Sequence, residues 1–205
     1  MNLIGVLTTI LMIVLLTSRV FAQDNAKSFL DSVQKKYKSL NDFSADFKQS
    51  VNGKVGINGK FFYSKGNKFR LELKNSTIVS NGSVIWNYNK PQNKVVINNN
   101  SNSDQSSITI EKFLYDYPAK SVVTLEKDNN QNVLILIPQN DNKMNFKKTK
   151  ISVNSDYLIM QVNIENLSGS VTNFQFSDYK LNQNLPDSRF SFSPPDGTNI
   201  IDLRK

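Results

Sequence analysis

Cysteine and histidine, two residue types that often act as nucleophiles, general bases and metal ligands, are both absent from this 205-residue chain. Their absence excludes thiolate catalysis, disulfides, Ser-His-Asp triads and metal sites built from imidazole or thiolate. Carboxylates remain, and a pair of them suffices for glycoside hydrolysis or a magnesium site. No close cluster of Asp and Glu stands out, so we predict no enzyme, no metal and no other cofactor. A carboxylate-dependent hydrolase is the enzymatic alternative.

The charged residues give the chain a basic excess, with 25 Lys and Arg against 17 Asp and Glu and a formal net charge of +8. Such an excess suits contact with nucleic acid, a membrane surface or an acidic protein face. The basic residues are spread along the chain without a run of five, whereas a nucleic-acid-binding protein concentrates them in a patch. We therefore interpret them as a solvated surface and predict no nucleic-acid partner, and docking to anionic lipids or acidic proteins stays open.

The first 22 residues have the pattern of an export signal. Residues 3–16 are almost entirely apolar, and Val20-Phe21-Ala22 provides small side chains at the positions that signal peptidases require. The apolar run is shorter than the roughly 20 residues of a membrane span. The residues before the run include no Lys or Arg, so a retained anchor is the alternative. We predict cleavage after Ala22 and one exported domain over residues 23–205.

Apolar residues at helical spacing predict two helices. The first begins near Asp24 or Asn25, runs for about four turns, and has an apolar stripe made of Ala26, Phe29, Leu30, Val33, Tyr37 and Leu40. The second is short and ends at Pro118, with apolar residues at Ile110, Phe113, Leu114 and Tyr117.

Most of the remaining chain alternates apolar and polar residues, which is the pattern of β-strands with one buried face. Phe43, Ala45 and Phe47 are one such run, and Asn81-Gly82 between two runs is a strong hairpin signal. We count about eleven short antiparallel strands in one domain, which predicts a mainly β fold with a curved sheet or barrel.

One face of the first strands is unusually rich in aromatic and aliphatic residues, namely Phe43, Phe47, Phe61, Tyr63, Phe69, Leu71, Trp86 and Tyr88. A packed core would explain such a face. An apolar cavity between the sheet and a helix would explain it too, because aromatic rings offer large apolar area with few rotatable bonds and suit lipid chains. The pattern alone leaves both possibilities open.

Four stretches, in order, resemble the periplasmic outer-membrane lipoprotein carrier proteins, the LolA family. FSADFKQ at residues 43–49 is similar to that family's F-x-A-x-F-x-Q strand, and VSNGSVIWNYN at 79–89 is similar to its V-S-D-G-x-x-L-W-x-Y-N hairpin. GKF at 59–61, followed by KGNKFR at 65–70, and FSFSPPDG at 190–197 resemble two further family motifs. The resemblance covers residues 27 to 202.

The resemblance implies an incomplete antiparallel β-barrel with a helical lid over an apolar cavity. It also implies a monomeric periplasmic carrier without enzymatic activity. Such a carrier takes acylated lipoproteins from an inner-membrane ABC transporter and delivers them to an outer-membrane acceptor. The eight residues of the aromatic face are then the candidate acyl-chain cavity, and the lid residues are Phe29, Val33, Phe113 and Leu114.

One position departs from the family pattern. The family has an Arg-Pro turn after the second strand, and the arginine holds the lid through hydrogen bonds to helix carbonyls. This chain has Lys65-Gly66 instead. Lysine can donate but is a flexible point charge rather than a planar fork, so Lys65 is a candidate latch, with a solvated turn lysine as the alternative. The alternative function is a non-transport envelope domain of the same fold that senses lipoproteins or lipids.

Overall fold

The computed structural model describes residues 25–100, 109–139 and 144–204. The predicted export signal and its cleavage site at Ala22 therefore lie outside the described residues. Helix α1 spans residues 25–39 and helix α2 spans residues 110–119, which confirms both predicted helices. Neither helix, nor any other in the described ranges, combines the length and apolar character of a membrane span.

The described residues form one open sheet with the strand order β12-β6-β5-β4-β3-β2-β1-β11-β10-β9-β8-β7. Neighbouring strands are antiparallel throughout except for the parallel pair of β12 and β6. The strands are β1 (Asp42–Val51), β2 (Lys54–Ser64), β3 (Lys68–Leu73), β4 (Ser76–Asn81), β5 (Val84–Asn89), β6 (Lys94–Asn99), β7 (Ser121–Asp128), β8 (Gln131–Pro138), β9 (Phe146–Val153), β10 (Ile159–Asn166), β11 (Val171–Leu181) and β12 (Asn199–Asp202).

The predicted mainly β fold with an incomplete antiparallel barrel is confirmed, and the strand count is one higher than predicted. The additional strand is β12, which has only four residues and pairs with Val95 and its neighbours about a hundred positions upstream. A strand this short carries no alternating pattern that could reveal it. The second helix also differs slightly, because it continues through Pro118 to residue 119.

The hairpin between β4 and β5 shows how the sequence fixes the local register. Gly82 has φ +97, and a Cβ at this position would lie 2.4 Å from the carbonyl oxygen of Gly66. Asn81 caps the turn, since its Oδ1 accepts hydrogen bonds from the backbone N–H groups of Ser83 and Val84 at 2.9 and 2.8 Å. The Asn-Gly signal in the sequence therefore identifies this hairpin correctly.

The concave face of the sheet holds the main core. Alternating side chains of β1, β2, β3 and β11 point to this face, and both helices pack their apolar residues against it. Val33 of α1 and Phe113 of α2 are almost completely buried there. The core extends into the second half of the sheet through Leu134, Leu136 and Ile151.

The convex face carries a second, smaller core under the C-terminal segment. A 3₁₀ turn at Asp187–Phe190 packs on β3 and β4 and buries Phe190, while Val79 of β4 and Val95 of β6 are completely buried on the same side. The Arg189 guanidinium lies 4.5 Å from the centre of the Phe62 ring. This segment supports the strands whose other face forms the site described below.

Removing the main anchor of this second core tests its contribution. We expect Phe190→Ala to lower the free energy of unfolding by about 3–5 kcal/mol, the usual cost of emptying a buried phenylalanine site. Phe192→Ala is the matched control, because Phe192 is only half-buried against the Tyr88 ring. This variant should lose clearly less free energy of unfolding. Urea denaturation measures both, and equal losses would contradict a buttressing role for Phe190.

Candidate functional site

A cavity of about 270 Å³ lies between α2 and the concave face of the sheet. Twelve of its sixteen lining residues are apolar, and none is charged. The lining consists of Phe47, Gln49, Ile57, Phe61, Phe69, Leu71, Leu73, Ile78, Ile85, Asn87, Asn98, Thr109, Ile110, Phe113, Phe174 and Phe176.

Strand register places these side chains together. Leu71 of β3 pairs with Phe61 of β2 on one side and with Ile78 of β4 on the other, so the three side chains form one continuous row. Phe47 of β1 pairs with Phe176 of β11, and their ring centres are 5.6 Å apart. The wall of the cavity is therefore an aromatic and aliphatic surface held by a hydrogen-bonded sheet.

A second cavity of about 240 Å³ lies beside the first, between α1, α2 and β2. It is more polar, since its lining includes Lys38, Lys65, Glu111 and three tyrosines. Ile110 lines both cavities. This one side chain of α2 consequently stands between the two spaces, and a movement of α2 would join them.

Glu111 is the carboxyl group in the lining of this second cavity. Burial raises the pKa of its carboxyl group, and hydrogen bonding from the side chains of Tyr63 and Thr109 offsets part of that effect. Burial also raises the pKa of Tyr63, with the nearby Glu111 carboxylate adding to the shift. The pair joins α2 to β2 through polar groups at the edge of the second cavity.

Gln34 joins the two helices directly. Its Nε2 donates a hydrogen bond of 2.7 Å to the backbone carbonyl oxygen of Leu114 in α2. That carbonyl lies within the π-helical turn Lys112–Asp116, a wider turn than the α-helical one and one that often occurs at functional sites. The sequence analysis missed Gln34, although a polar residue four positions after Leu30 on the apolar stripe was an available signal.

Lys65, the predicted latch, contacts a different partner. Its Nζ donates to Oδ1 of Asn41 at 3.1 Å, in the connection between α1 and β1, rather than to a carbonyl of α2. The lysine is exposed at the edge of the second cavity. Gln34, by contrast, bonds a backbone carbonyl of α2.

The predicted cavity residues separate into three groups. Phe47, Phe61, Phe69 and Leu71 line the cavity. Phe43 and Tyr63 lie on the same face but under α1, where the Phe43 ring packs 5.0 Å from the Tyr63 ring, and Tyr63 lines the second cavity.

Trp86 and Tyr88, the remaining two, lie on the other side of the sheet, which corrects their assignment to the cavity. On β5 it is Ile85 and Asn87 that line the cavity, and strand alternation therefore directs Trp86 and Tyr88 to the convex face. Tyr88 packs there against Phe192, with ring centres 5.3 Å apart. Because both faces of β5 carry apolar side chains, aromatic character alone could not reveal which face encloses the cavity.

The predicted lid residues also occupy different places. Phe113 lines the first cavity and Leu114 lines the second. Val33 is completely buried in the main core, while Phe29 is half-buried with its ring 5.6 Å from that of Tyr157. The sequence analysis did not assign Phe174 and Phe176 to the site, although their alternation on β11 was visible.

The described residues contain no group of three or more carboxylates that could hold a metal ion. The family model for the outer membrane lipoprotein carrier protein LolA matches residues 38–193, which is most of the chain. The chain belongs to the LolA family.

Individual relatives agree with this assignment. The outer-membrane lipoprotein carrier protein of Francisella philomiragia is 29% identical, in a match covering 94% of this chain and 98% of that protein. The protein of the same description from Francisella tularensis is 25% identical, in a match covering 87% of this chain and 91% of that protein. An uncharacterized conserved protein of Thermus thermophilus has a similar fold, with a TM-score of 0.58 at 15% identity over 87% of this chain and 99% of that one.

The LolA motifs acquire physical roles in this structure. The FxAxFxQ stretch supplies Phe43 to the packing under α1 and Phe47 to the cavity wall. The tryptophan–tyrosine hairpin and the C-terminal FxFxPP stretch instead meet on the convex face through Tyr88 and Phe192. Two of the LolA motifs therefore pack on the convex face of the sheet, whereas the first one contributes to the cavity itself.

The raised pKa of Glu111 predicts a pH-dependent stability difference. The unfolded chain releases the Glu111 proton near pH 4.3, whereas the fold keeps that proton to higher pH, so this group's contribution to stability falls as pH rises above that value. Glu111→Gln lacks this fall. The free energy of unfolding of the variant, relative to that of wild type, should therefore increase as pH rises from about 4.

Urea denaturation across this pH range measures the difference, with exposed Glu126→Gln on β7 as the matched control. A Glu111→Gln difference that stays constant with pH, or that matches the control, would contradict the burial of this carboxyl group.

Proposed function

We propose that this chain is a periplasmic carrier that binds the acyl chains of lipoproteins in the cavity under α2. It takes them from an inner-membrane ABC transporter and delivers them to an outer-membrane acceptor. The observation that carries the proposal is an uncharged, mostly apolar cavity in a member of the LolA family. The two Francisella relatives are named outer-membrane lipoprotein carrier proteins, which supports the carrier part of the proposal.

The energetics of acyl chains explain why a carrier needs this kind of site. Burying one CH₂ group is worth about 0.8 kcal/mol, so moving a sixteen-carbon chain from a bilayer into water costs roughly 12 kcal/mol. An apolar cavity replaces the bilayer during transit. Non-directional contacts with rings and aliphatic side chains also allow release, because they do not require a specific set of hydrogen bonds to break.

The size of the cavity indicates that α2 must move when cargo binds. Pockets that enclose drug-sized ligands occupy about 300–1,000 Å³, and 270 Å³ is below this range. Displacement of Ile110 would add the neighbouring 240 Å³. We therefore assign the structure to the closed state and α2 to the lid, with Gln34 as the residue that fastens it to α1.

Placing a charge on the cavity wall tests the site. Leu71 is half-buried in the lining, so Leu71→Glu should leave the fold intact but abolish binding of a palmitoylated lipoprotein, because an unpaired carboxylate against acyl chains is costly. Leu167→Glu is the matched control, since Leu167 is 61% exposed in a turn.

Co-purification of palmitoylated lipoprotein measures binding, and the conservative variant Leu71→Met should bind as wild type does. Equal binding by Leu71→Glu and the Leu167→Glu control would contradict the assignment of this cavity.

The lid assignment predicts opposite results for two candidate latches. Gln34→Leu removes the bond to the Leu114 carbonyl, so amide hydrogen exchange in residues 110–119 should quicken by about two- to tenfold, the value of one net hydrogen bond. Lys65→Leu should leave that exchange unchanged, because Lys65 bonds Asn41.

Mass-spectrometric exchange on the empty protein makes this comparison. Faster exchange in Lys65→Leu but not in Gln34→Leu would return the latch role to Lys65.

Lipoprotein transfer separates this proposal from a sensor with the same fold. A carrier must release its cargo to acceptor membranes, whereas a sensor needs only to bind it. Time-resolved transfer of a labelled lipoprotein from the purified complex to outer-membrane vesicles distinguishes the two, and cargo that is retained indefinitely would favour the sensor.

A further inference from the structure

Two amide side chains of the main cavity lie close together where its lining reaches solvent. Asn87 is part of the lining and is exposed on β5, which marks this part of the lining as a mouth of the cavity. Asn98 of β6 lies opposite Ile85, which makes Asn87 and Asn98 diagonal neighbours on one face.

These two side-chain amides are available for a ligand. Within the part of the chain that the structure describes, neither has a hydrogen-bond partner for its amide group. Thr109, another polar lining residue, is already engaged, since its Oγ1 accepts the backbone N–H of Lys112 at 3.3 Å. Each amide can both donate and accept, so the mouth offers neutral hydrogen-bonding groups beside an apolar interior.

The absence of charge among the lining residues selects the chemistry of the ligand. A fatty-acid carboxylate or a phosphate head group at this mouth would lack a counter-ion among the sixteen lining residues, and a partly desolvated charge without a partner is costly. An ester carbonyl is a neutral acceptor, and an amide N–H satisfies it without any charge.

We propose that Asn87 and Asn98 form a recognition site for the ester carbonyls of a diacylglycerol-type head group, whose chains enter the apolar interior. This inference rests on the proposed function and extends it, because it specifies the ester-linked, uncharged end of the acylated cargo as the part that is recognised. Affinity then comes from the chains, and orientation comes from the amides.

A pair of matched lipids tests the proposal. Dioctanoylglycerol carries two ester carbonyls, and its diether analogue dioctylglycerol has the same chain length without them. Wild-type protein should bind the ester more tightly than the ether, by about two- to tenfold for each hydrogen bond that forms. Isothermal titration calorimetry of the full chain measures both affinities.

Substitution of the amide residues with leucine should change the affinities for the two lipids differently. Asn98→Leu and Asn87→Leu should lose the preference for the ester while binding the ether equally well or better, because leucine adds apolar area. Asn58→Leu, an exposed position on the outer face of β2, is the control and should keep the preference. Subtracting the ester-versus-ether difference in binding free energy of a leucine variant from that of wild type gives the coupling between the amide side chain and the ester carbonyls.

Two outcomes would overturn the inference in different ways. If wild type binds ester and ether equally, or if the leucine variants bind the ester as well as wild type does, the amides are only solvated rim residues and the carrier proposal stands. If wild type binds neither lipid, both the inference and the proposed function fail.

Discussion

An apolar cavity that remains open inside a folded domain is the constraint on which this structure depends. At about 24 cal/mol per Å³ of unfilled space, a void of this size would cost on the order of 6 kcal/mol if it were a defect in a core. A domain can tolerate it only if the surrounding frame is rigid. The frame here is a continuous sheet that is antiparallel in all the strands lining the cavity, and its backbone hydrogen bonds fix the spacing of the rings.

The other elements are arranged around that constraint. The C-terminal segment places Phe190 and Phe192 on the convex face, so that the strands of the cavity wall are supported from behind. The lid also packs apolar side chains into the core, but its ties to the rest of the fold include polar contacts through the Gln34 amide and the Glu111 carboxyl group. A hydrogen-bonded sheet and a single helix held partly by polar contacts separate the part that must persist from the part that must move.

The sequence predicts the frame better than the site. Alternation, the Asn81-Gly82 turn and the helical stripe at Val33 and Tyr37 are local patterns, and the structure confirms what they predict. The face of β5 could not be predicted, because Trp86 and Ile85 are both apolar and only the distant C-terminal segment decides which side each one covers. Long-range contacts also decide the role of Gln34 and the pairing of β12. The polar position within the helical stripe was visible, but its partner in α2 was not, and β12 carries no local pattern.

The central claim is that the cavity carries an acylated protein, and native mass spectrometry of the protein isolated from an export-competent host tests it most directly. We expect a species with the mass of the mature chain plus one acylated lipoprotein. It should disappear when the cargo's lipid-modified cysteine is replaced by alanine. Protein that is always empty, or that binds the non-acylated cargo equally well, would contradict the account.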